Sequence, residues 1–329
     1  MGITKRRIAA VINPIAGGGK ALRGWKALRE LAVARAPVDE FVSEYPGHAM
    51  RVARHIAGNG YDVAFAVGGD GTIHEVVNGL LGANGHQGYD GPLFGAIPLG
   101  RGNDFARTFG LDCEPAASWG SQNEASEAVR RIDVGLIRPF DGEPTYFVNM
   151  CGLGFDADSA AMANRLPRIL GGALPYVLGV LAGFIALNNR RLSVCLEGVR
   201  TVEGFVQPGW APVGPGADGS LFLEDDFLLA SAGIGRYIGG GIMLLPHANP
   251  VDGLLDVLLA RRVRRTKLLK ILASTFRGGH LGEPEVAYYR AAKATIRGPS
   301  GTHIHADGDP VGTGGAEIGV LPGALPVLF

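Results

Sequence analysis

Three glycine-rich loops, each directly after an apolar segment, constrain the fold of this chain more than any other feature. They read "NPIAGGGK" from Asn13, "GGDGT" from Gly68 and "PLGRGNDFAR" from Pro98. Glycine gives up more backbone entropy on folding than any other residue, so such clusters indicate left-handed backbone or a group that approaches the main chain closely. The 52 glycines among 329 residues show no collagen-like period, which favours turns and ligand loops.

The segments around these loops alternate between the periods of strands and helices. One helical face repeats in Ala49, Val52, Ala53, Ile56 and Ala57. The predicted strands cover residues 7–13, 38–43, 61–67 and 92–100. This alternation predicts a doubly wound α/β domain, with a parallel sheet that binds ligands at the carboxyl ends of its strands. The three glycine loops fall at those ends, so we expect them to line one crevice.

Beyond about Arg138 the helical pattern gives way to short β-rich segments such as "TYFVNM" and "RLSVCLEG", separated by turns such as "GPGADGS". This pattern predicts a second, β-sandwich-like domain. Two helices are expected in it, near residues 160–188 and 266–277. The Gly/Pro-rich stretch 206–220 is expected to be a mobile surface loop.

Composition excludes several classes of protein. Apolar residues make up 47% of the chain and charged residues 19%, so a large core is available and the chain is not intrinsically disordered. The formal net charge is zero, which gives no overall electrostatic footprint for nucleic acid. The scattered Cys113, Cys151 and Cys195 argue against a disulfide framework or a metal cluster and suit a reducing cytoplasm. The apolar run near the N-terminus is too short for a signal peptide.

Two segments bear on membrane contact. The stretch Ile169–Leu187 holds 19 residues without a charge, which is long enough to span a bilayer. Its glycines and its proline favour instead a buried or membrane-leaning helix. The stretch Arg261–Lys270 carries six positive charges, which suits anionic lipid at about 1 kcal/mol per favourably placed charge. A solvated surface is the alternative for this stretch.

The loop GGDGT suits phosphate oxygens, because it offers successive backbone N–H groups at the start of a helix. Asp70 fits beside a phosphate if Mg²⁺ lies between them or if its carboxylate orders the loop, and Thr72 can cap the helix. A tight turn that requires glycine is the structural alternative. The loop at Asn13 lacks the Walker A spacing, and Asn103 and Asp104 fit plain N-cap residues as well.

Taken together, the motifs resemble the diacylglycerol kinase catalytic-domain family in its bacterial lipid kinase branch, and more distantly the sphingosine and ceramide kinases. The resemblance runs through nearly the whole chain, in the order "NPIAGGG", "GGDGTIHEVVNGL", "PLGRGNDFAR", "NMCGLGFDA", "GGGIMLLPHANPVDGLLDV" and "HADGD". It implies an ATP-binding α/β domain of the NAD-kinase/phosphofructokinase-like type over residues 1–136, on which residues 316–329 pack back. It also implies a β-rich lipid-substrate domain over 137–315, with a cleft between the two domains.

The resemblance also assigns roles to residues of this sequence. Two carboxylates, Asp70 and Asp104, would position catalytic Mg²⁺. A structural metal would bind Asp252 together with Asn249 and Leu254, where a plain β-turn is the alternative. The nucleotide would contact Asn13, Gly17, Gly18, Gly19, Ser43, Gly68, Gly69, Asp70, Gly71, Thr72, Glu75, Arg101 and Asn103.

Two positions depart from the family pattern. The motif "HADGDP" places Asp309 where the family has a glutamate that resembles the general base, so the side chain is one methylene shorter, and Asp307 is its partner or alternative. Arg101 stands where the family commonly has a small hydroxyl residue. It could clamp the γ-phosphate or point to solvent.

The sequence therefore predicts a kinase that transfers the γ-phosphate of Mg-ATP to a lipid hydroxyl, with diacylglycerol as the first candidate. The alternatives are a sphingoid-base, ceramide or phosphatidylglycerol kinase, an NAD-kinase-like enzyme, and a catalytically silent lipid-binding protein. The stretches "NDFAR" and "PHANPVDGLLDV" favour the lipid branch. We expect a cytoplasmic protein in peripheral contact with anionic membrane, without a nucleic-acid partner. The oligomeric state stays open, with a homodimer as one option.

Overall fold

The chain forms two compact units. The computed structural model describes residues 6–33, 37–84, 89–111, 129–165, 190–201, 210, 214–215 and 220–329. The N-terminal unit comprises Met1–Ile132 with Gly323–Phe329, and the C-terminal unit comprises Asp133–Pro322. The apolar stretch Ile169–Leu187 and most of the stretch 206–220 lie outside the described residues. Among the described helices, none is both long enough and apolar enough to cross a membrane.

A parallel sheet with helices forms the N-terminal unit. Its first four strands are β1 (Ile8–Ile12), β2 (Val38–Val42), β3 (Val63–Gly68) and β4 (Leu93–Pro98). Its helices are α1 (Ala16–Val33), α2 (His48–Ala57), α3 (Asp70–Asn84) and α4 (Asp104–Phe109). Strand β1 pairs in parallel with β2 and with β3, and β3 pairs in parallel with β4. The strands β1 and β3 are buried along most of their length, as expected for a sheet that helices cover.

The core of this unit lies against the inner face of α1. Trp25 of that helix is 1% exposed and packs with Ile12, Phe65 and Ile97 from three neighbouring strands. Strand β19 (Gly315–Leu328) extends the sheet at the β4 edge, because its Val327 pairs in parallel with Phe94 of β4.

Mostly antiparallel strands build the C-terminal unit. These strands are β5 (Val129–Pro139), β6 (Thr145–Phe147), β7 (Met150–Gly154), β8 (Arg190–Glu197), β9 (Arg200–Thr201), β10 (Gly214–Pro215), β11 (Leu221–Gly233), β12 (Tyr237–Ile238), β13 (Ile242–Met243), β14 (Leu255–Arg261), β15 (Val286–Ala291), β16 (Lys293–Arg297), β17 (His303–Ala306), β18 (Asp309–Thr313) and most of β19. The described helices are α5 (Phe155–Arg165), α6 (Arg265–Thr275) and the short 3₁₀ turn Gly279–Gly282.

Strand β11 organises this unit, because its two halves pair with different strands. Its first half, Leu221–Phe227, pairs with β8, and its second half, Leu229–Gly233, pairs with β7. Strand β14 has both faces buried: Val257 and Leu259 face one apolar cluster, whereas Leu258 faces a second cluster together with Leu268 of α6. The alternation of side chains in a strand thus supplies two cores from one segment.

The β-rich segment "TYFVNM" is divided between two strands. Strand β6 ends at Phe147 and β7 starts at Met150. The backbone N–H groups of Val148, Asn149 and Met150 donate to the carboxylate of Asp307 instead. The strand is interrupted because a side chain, and not a neighbouring strand, satisfies these donors.

Helices α2 and α3 approach each other at a glycine. A Cβ at Gly79 would lie 2.3 Å from the carbonyl oxygen of Met50 and 2.5 Å from Cβ of Ala53. The backbone of α3 therefore comes closer to α2 than any side chain at position 79 would permit.

We expect Gly79→Ala to lower the melting temperature, because α2 must move away from α3 and lose packing. Gly82→Ala in the same helix is the matched control, since its Cβ would find only ordinary contacts, at 3.8 Å from Arg54. Alanine is the better helix former by roughly 1 kcal/mol, so the control should be neutral or stabilising. Thermal unfolding of both variants measures the difference, and equal melting temperatures would contradict the close approach.

Candidate active site

The register of the parallel sheet brings four loops to one edge. Ile12 pairs with Val42 and with Val67, and Gly68 pairs with Pro98. The loops that follow β1, β2, β3 and β4 therefore leave the sheet side by side. This edge is where open α/β sheets bind their ligands.

The loop after β1 contains three successive left-handed glycines. Gly17, Gly18 and Gly19 have φ values of 61°, 72° and 84°, so regular helix starts only after them. The N–H groups of Gly18 and Gly19 donate to the carbonyl oxygen of Ile15, at 3.2 and 3.4 Å. These two donors are thus already used inside the loop. A nucleotide there would contact the glycine backbone without hydrogen bonds from these two N–H groups.

Asn13 and Thr72 join the first loop to the second. The side-chain amide of Asn13 donates to Oγ1 of Thr72 at 3.1 Å and accepts from the N–H of Ile15 at 3.3 Å. Thr72 is 3% exposed, and its own N–H donates to the carbonyl oxygen of Gly69 at 2.9 Å. The structure gives both predicted ligand residues a role in holding the loops in place.

The second and third loops meet at two glycines. A Cβ at Gly100 would lie 2.3 Å from Cα of Gly69, and a Cβ at Gly69 would lie 3.0 Å from Cα of Gly100. The N–H of Leu99 also donates to the carbonyl oxygen of Gly68 at 2.8 Å. The GGDG loop and the GRGND loop therefore pack backbone against backbone, which no residue with a side chain would allow at Gly100.

Asp70 reaches across this contact to cap α4. Its Oδ1 accepts from the N–H of Phe105 at 3.1 Å. Asn103 occupies the N-cap position but makes no side-chain cap bond. Its Oδ1 accepts from the N–H of Gly100 and its amide donates to the carbonyl oxygen of Pro98, both at 3.1 Å. The alternative of a cap by Asn103 is therefore not realised, and a residue of another loop supplies the cap.

Asp104 lies next to the residue that Asp70 caps. It is 5% exposed in the first turn of α4, where the helix dipole favours a negative charge. The structure thus brings the two predicted Mg²⁺ carboxylates to the same loop contact. Among the residues that the structure describes, no group of three or more His, Cys, Asp and Glu side chains is arranged to hold a metal.

Three other predicted residues lie around this edge. Both carboxylate oxygens of Glu75 accept from backbone N–H groups, those of Gly47 at 2.9 Å and Ala49 at 3.0 Å, so this side chain holds the start of α2. Ser43 follows β2 and donates its N–H to the carbonyl oxygen of Ile12 at 2.8 Å. Arg101 is half-buried in the loop between β4 and α4.

The sequence reasoning missed one cation near the first loop. A Cβ at Gly19 would lie 3.5 Å from Nη1 of Arg23, so the guanidinium lies beside the glycines. Arg23 stands four residues after Gly19, one helical turn along α1. A search for basic residues one turn beyond each glycine loop would have found it.

In the C-terminal unit, the motif "HADGDP" forms a two-residue hairpin turn. Ala306 pairs with Asp309, and the residues between them, Asp307 and Gly308, have φ values of 50° and 91°. Positive φ at both central residues matches a type I′ turn, for which Asp-Gly is a preferred sequence. The half-buried Asp309 is the first residue of β18.

The carboxylate of Asp307 is committed to the backbone. Its Oδ2 accepts from the N–H of Val148 at 2.9 Å, and its Oδ1 accepts from the N–H groups of Asn149 at 2.9 Å and Met150 at 3.1 Å. The N–H of Asp307 donates to the carbonyl oxygen of Met150 at 2.8 Å. Asp307 therefore fixes the turn, and the geometry separates its role from that of Asp309.

The predicted structural metal residues lie in the turn before β14. Asp252 forms an ion pair with Arg290 through Oδ2, and its Oδ1 accepts from the N–H of Leu254 at 3.1 Å. The N–H of Gly253 donates to Oδ2 of Asp133 at 2.7 Å. The sequence reasoning missed Arg290 and Asp133 because both are distant in sequence from this turn.

A buried carboxylate follows the same turn. Asp256 is fully buried and accepts from the hydroxyl of Tyr288 at 2.8 Å. Burial raises the pKa of Asp256 to about 7. Its Oδ1 lies 3.5 Å from Nε of Arg290, so Arg290 serves two carboxylates, at Asp252 and Asp256.

Comparison with known proteins agrees with both units. A family model described as diacylglycerol kinase catalytic domain matches residues 7–137, and one described as YegS C-terminal NAD kinase beta sandwich-like domain matches residues 149–329. These matches confirm the predicted α/β domain followed by a β-sandwich-like domain. The solved structure of a diacylglycerol kinase from Bacillus anthracis str. Sterne has the same fold, with a TM-score of 0.67 at 19% identity over 100% of this chain and 98% of that chain.

Curated relatives extend over nearly the whole chain. The chain is 31% identical to the diacylglycerol kinase of Mycobacterium tuberculosis (strain ATCC 25618 / H37Rv), over 98% of this chain and 94% of the relative. It is 30% identical to the "probable lipid kinase YegS-like" of Pseudomonas aeruginosa PAO1, over 91% of this chain and 84% of the relative. The matched family model and these identities confirm the resemblance seen in the motifs, and a kinase family implies the use of ATP. The chain therefore belongs to the diacylglycerol kinase family of lipid kinases.

Proposed function

We propose that this lipid kinase transfers the γ-phosphate of Mg-ATP to the free hydroxyl of diacylglycerol and forms phosphatidate. The observation that carries the proposal is the hydrogen bond from Phe105 to Asp70, which joins the GGDG and GRGND loops at the ligand edge of the sheet. The names of the relatives support diacylglycerol as the acceptor. Sphingoid bases, ceramide and phosphatidylglycerol offer similar hydroxyls and are the alternative acceptors.

Positioning and charge neutralisation dominate phosphoryl transfer. The start of α3 directs the positive end of the helix dipole toward the loop where the phosphates would lie. Asp70 and Asp104 would hold Mg²⁺, and the pair fits because this ion needs only one or two carboxylates when phosphates complete its shell. When bound, the ion neutralises phosphate charge. Arg101 is proposed to face the γ-phosphate from the third loop.

Asp309 is the proposed general base, which takes the proton from the lipid hydroxyl. Asp307 is the weaker candidate, because its carboxylate already accepts three backbone N–H groups. The type I′ turn fixes the backbone of Asp309, so the reach of the short side chain depends on how firmly that turn is held.

We further propose that helix α6 contacts anionic membrane from the cytoplasmic side. Two apolar side chains seven residues apart are exposed here, Leu269 in the helix (49% exposed) and Phe276 directly after its last residue (55% exposed). The exposed cations beside them are Arg262, Arg264, Arg265, Lys270 and Arg277. The sequence has no acidic residue between Asp256 and Glu283. An apolar stripe edged by cations matches a helix that lies in the membrane interface.

Lys267 and Arg261 form ion pairs within the protein. Lys267 contacts Glu283 and Glu285 at 3.0 and 2.5 Å, and Arg261 contacts Asp225 at 2.7 Å. Lys267 ties α6 to the segment 283–285, and Arg261 ties the end of β14 to β11. The proposed lipid attraction comes from the exposed cations beside Leu269 and Phe276.

The first experiment incubates the protein with γ-labelled Mg-ATP and separate mixed micelles of diacylglycerol, phosphatidylglycerol, sphingosine and ceramide. Label should enter the organic phase with diacylglycerol. Label with another lipid alone would mean that the protein is a lipid kinase with a different acceptor. No label with any lipid, in a protein that binds ATP, would favour an acceptor such as NAD or a silent lipid-binding protein.

Asp70→Asn should abolish phosphoryl transfer and leave the melting temperature nearly unchanged. The amide oxygen of asparagine can still accept from the N–H of Phe105, so the link between the loops survives while the charge for Mg²⁺ is lost. Steady-state turnover and thermal unfolding are the two measurements. Turnover at the wild-type rate would remove Asp70 from the mechanism.

Asp309→Asn should lower kcat by about 100-fold or more while ATP binding and the melting temperature are retained. Asp307→Asn should lower the melting temperature instead, because an amide NH₂ would face backbone N–H donors. Comparing kcat, nucleotide affinity and melting temperature in the two variants distinguishes the roles. An unchanged kcat in Asp309→Asn would move the base elsewhere.

Arg290 forms an ion pair with the carboxylate of Asp252 that a structural metal would need, so we propose that this ion pair, and not a metal ion, holds the turn. The predicted structural metal can therefore be tested by comparing the loss of melting temperature in Mg²⁺ with that in chelator. Asp252→Ala should lower the melting temperature by the same amount in Mg²⁺ and in chelator. A larger loss in Mg²⁺ would restore the metal site, with Asn249 and Leu254 as its backbone ligands.

For the membrane surface, Leu269→Glu combined with Phe276→Glu should weaken binding to vesicles that contain phosphatidylglycerol, measured by flotation without nucleotide. Val251→Glu, at another exposed apolar side chain (55% exposed), is the control and should bind like the wild type. Equal binding of all three proteins would exclude α6 as the membrane contact, without any bearing on activity in micelles.

A further inference from the structure

A buried polar cluster of Asp156, Ser231 and His305 lies beside the turn at Asp307 and Gly308. The proposed function gives this cluster no role. Strand β7 runs between β11 and β17, and its Gly152 pairs with Ser231 on one side and with His305 on the other. The carboxylate of Asp156, from the first turn of α5, lies over Gly152. Ser231, His305 and Asp156 are 0%, 1% and 4% exposed.

The absence of a side chain at position 152 makes room for this carboxylate. A Cβ at Gly152 would lie 2.0 Å from Oδ2 of Asp156 and 2.9 Å from Oγ of Ser231. Oδ2 of Asp156 accepts from the hydroxyl of Ser231 and lies 3.3 Å from Nε2 of His305. Its Oδ1 accepts from the N–H of Ala157 at 2.8 Å. These contacts with Ser231, His305 and Ala157 offset the cost of burying the polar group.

The contacts of His305 define its tautomer. The N–H of Gly308 donates to Nδ1 at 3.2 Å, so this nitrogen carries a lone pair. The proton then sits on Nε2, which faces the Asp156 carboxylate. A carboxylate that orients an imidazole through its N–H is the arrangement by which proteins fix the direction of a histidine lone pair.

We propose that His305 is a positioning residue for phosphoryl transfer: held by Asp156 and Ser231, it fixes Gly308 and thereby aims the carboxylate of Asp309. The inference rests on the proposed role of Asp309 as the base. The turn is anchored first at Asp307, on the backbone of residues 148–150, and second at Gly308, on His305. Asp309 is the next residue, so a loosened second anchor moves its carboxylate without unfolding the hairpin.

Two variants of His305 separate the halves of this arrangement. In His305→Asn, the amide oxygen can take the place of Nδ1 and accept from Gly308. In His305→Gln, the longer amide reaches toward Asp156 but leaves the N–H of Gly308 without its acceptor. We expect His305→Gln to lose about 10- to 100-fold in kcat, the scale of an ångström misplacement, while KM for ATP and for the lipid stays within about threefold. His305→Asn should retain much more of kcat than His305→Gln, and the two variants should have similar melting temperatures.

A second measurement asks whether the effect passes through Asp309. Residues that act as one unit are not additive, so His305→Gln should cause no further loss of kcat in an Asp309→Asn background. The proposal is overturned by a wild-type kcat in His305→Gln, by equal losses in the two His305 variants, or by a full further loss in the double variant. A wild-type chain that labels no acceptor would instead overturn the proposed function, and the positioning role with it.

Discussion

The contact of Gly69 with Gly100 is the constraint on which the loop edge of the parallel sheet depends. Two loops from neighbouring parallel strands come as close as their main chains permit. Only because of this approach can Asp70 of one loop cap a helix that begins in the other. The link between Asn13 and Thr72 then ties in the loop of a third strand. Backbone packing therefore brings the loops of this edge together, and side-chain hydrogen bonds hold them in position.

In the C-terminal unit, the carboxylates of two aspartates support the sheet. Asp307 satisfies three consecutive N–H groups where a strand is interrupted, and Asp156 fills the space above a glycine in the middle of a sheet. Both acids replace interactions that a regular sheet would make with main chain or with apolar side chains. Polar groups of this kind are expensive to bury unless every bond is made, which explains why so many of their donors are backbone N–H groups of fixed direction.

Periodicity was enough to predict the first four strands to within a few residues and to place the glycine loops at one edge, because these features depend on local sequence. The motifs were enough to predict the family. Local sequence could not show that Glu75 holds the start of α2, or that Arg290 pairs with Asp252, because those partners lie far away along the chain. It also could not decide the cap of α4, since Asn103 has the right residue type and position for a cap but turns its amide toward its own loop.

The pairing of β19 with β4 has a consequence for biosynthesis. Val327 and Phe94 are neighbours in the sheet, yet most of the chain separates them in the order of synthesis. Until the strand that carries Val327 emerges, β4 is an edge strand with unpaired backbone groups and an apolar sequence, the kind of edge that attracts other strands. The sheet of the N-terminal unit therefore stays open while the C-terminal unit is made, and a nascent chain stalled before β19 would be a natural client for a chaperone.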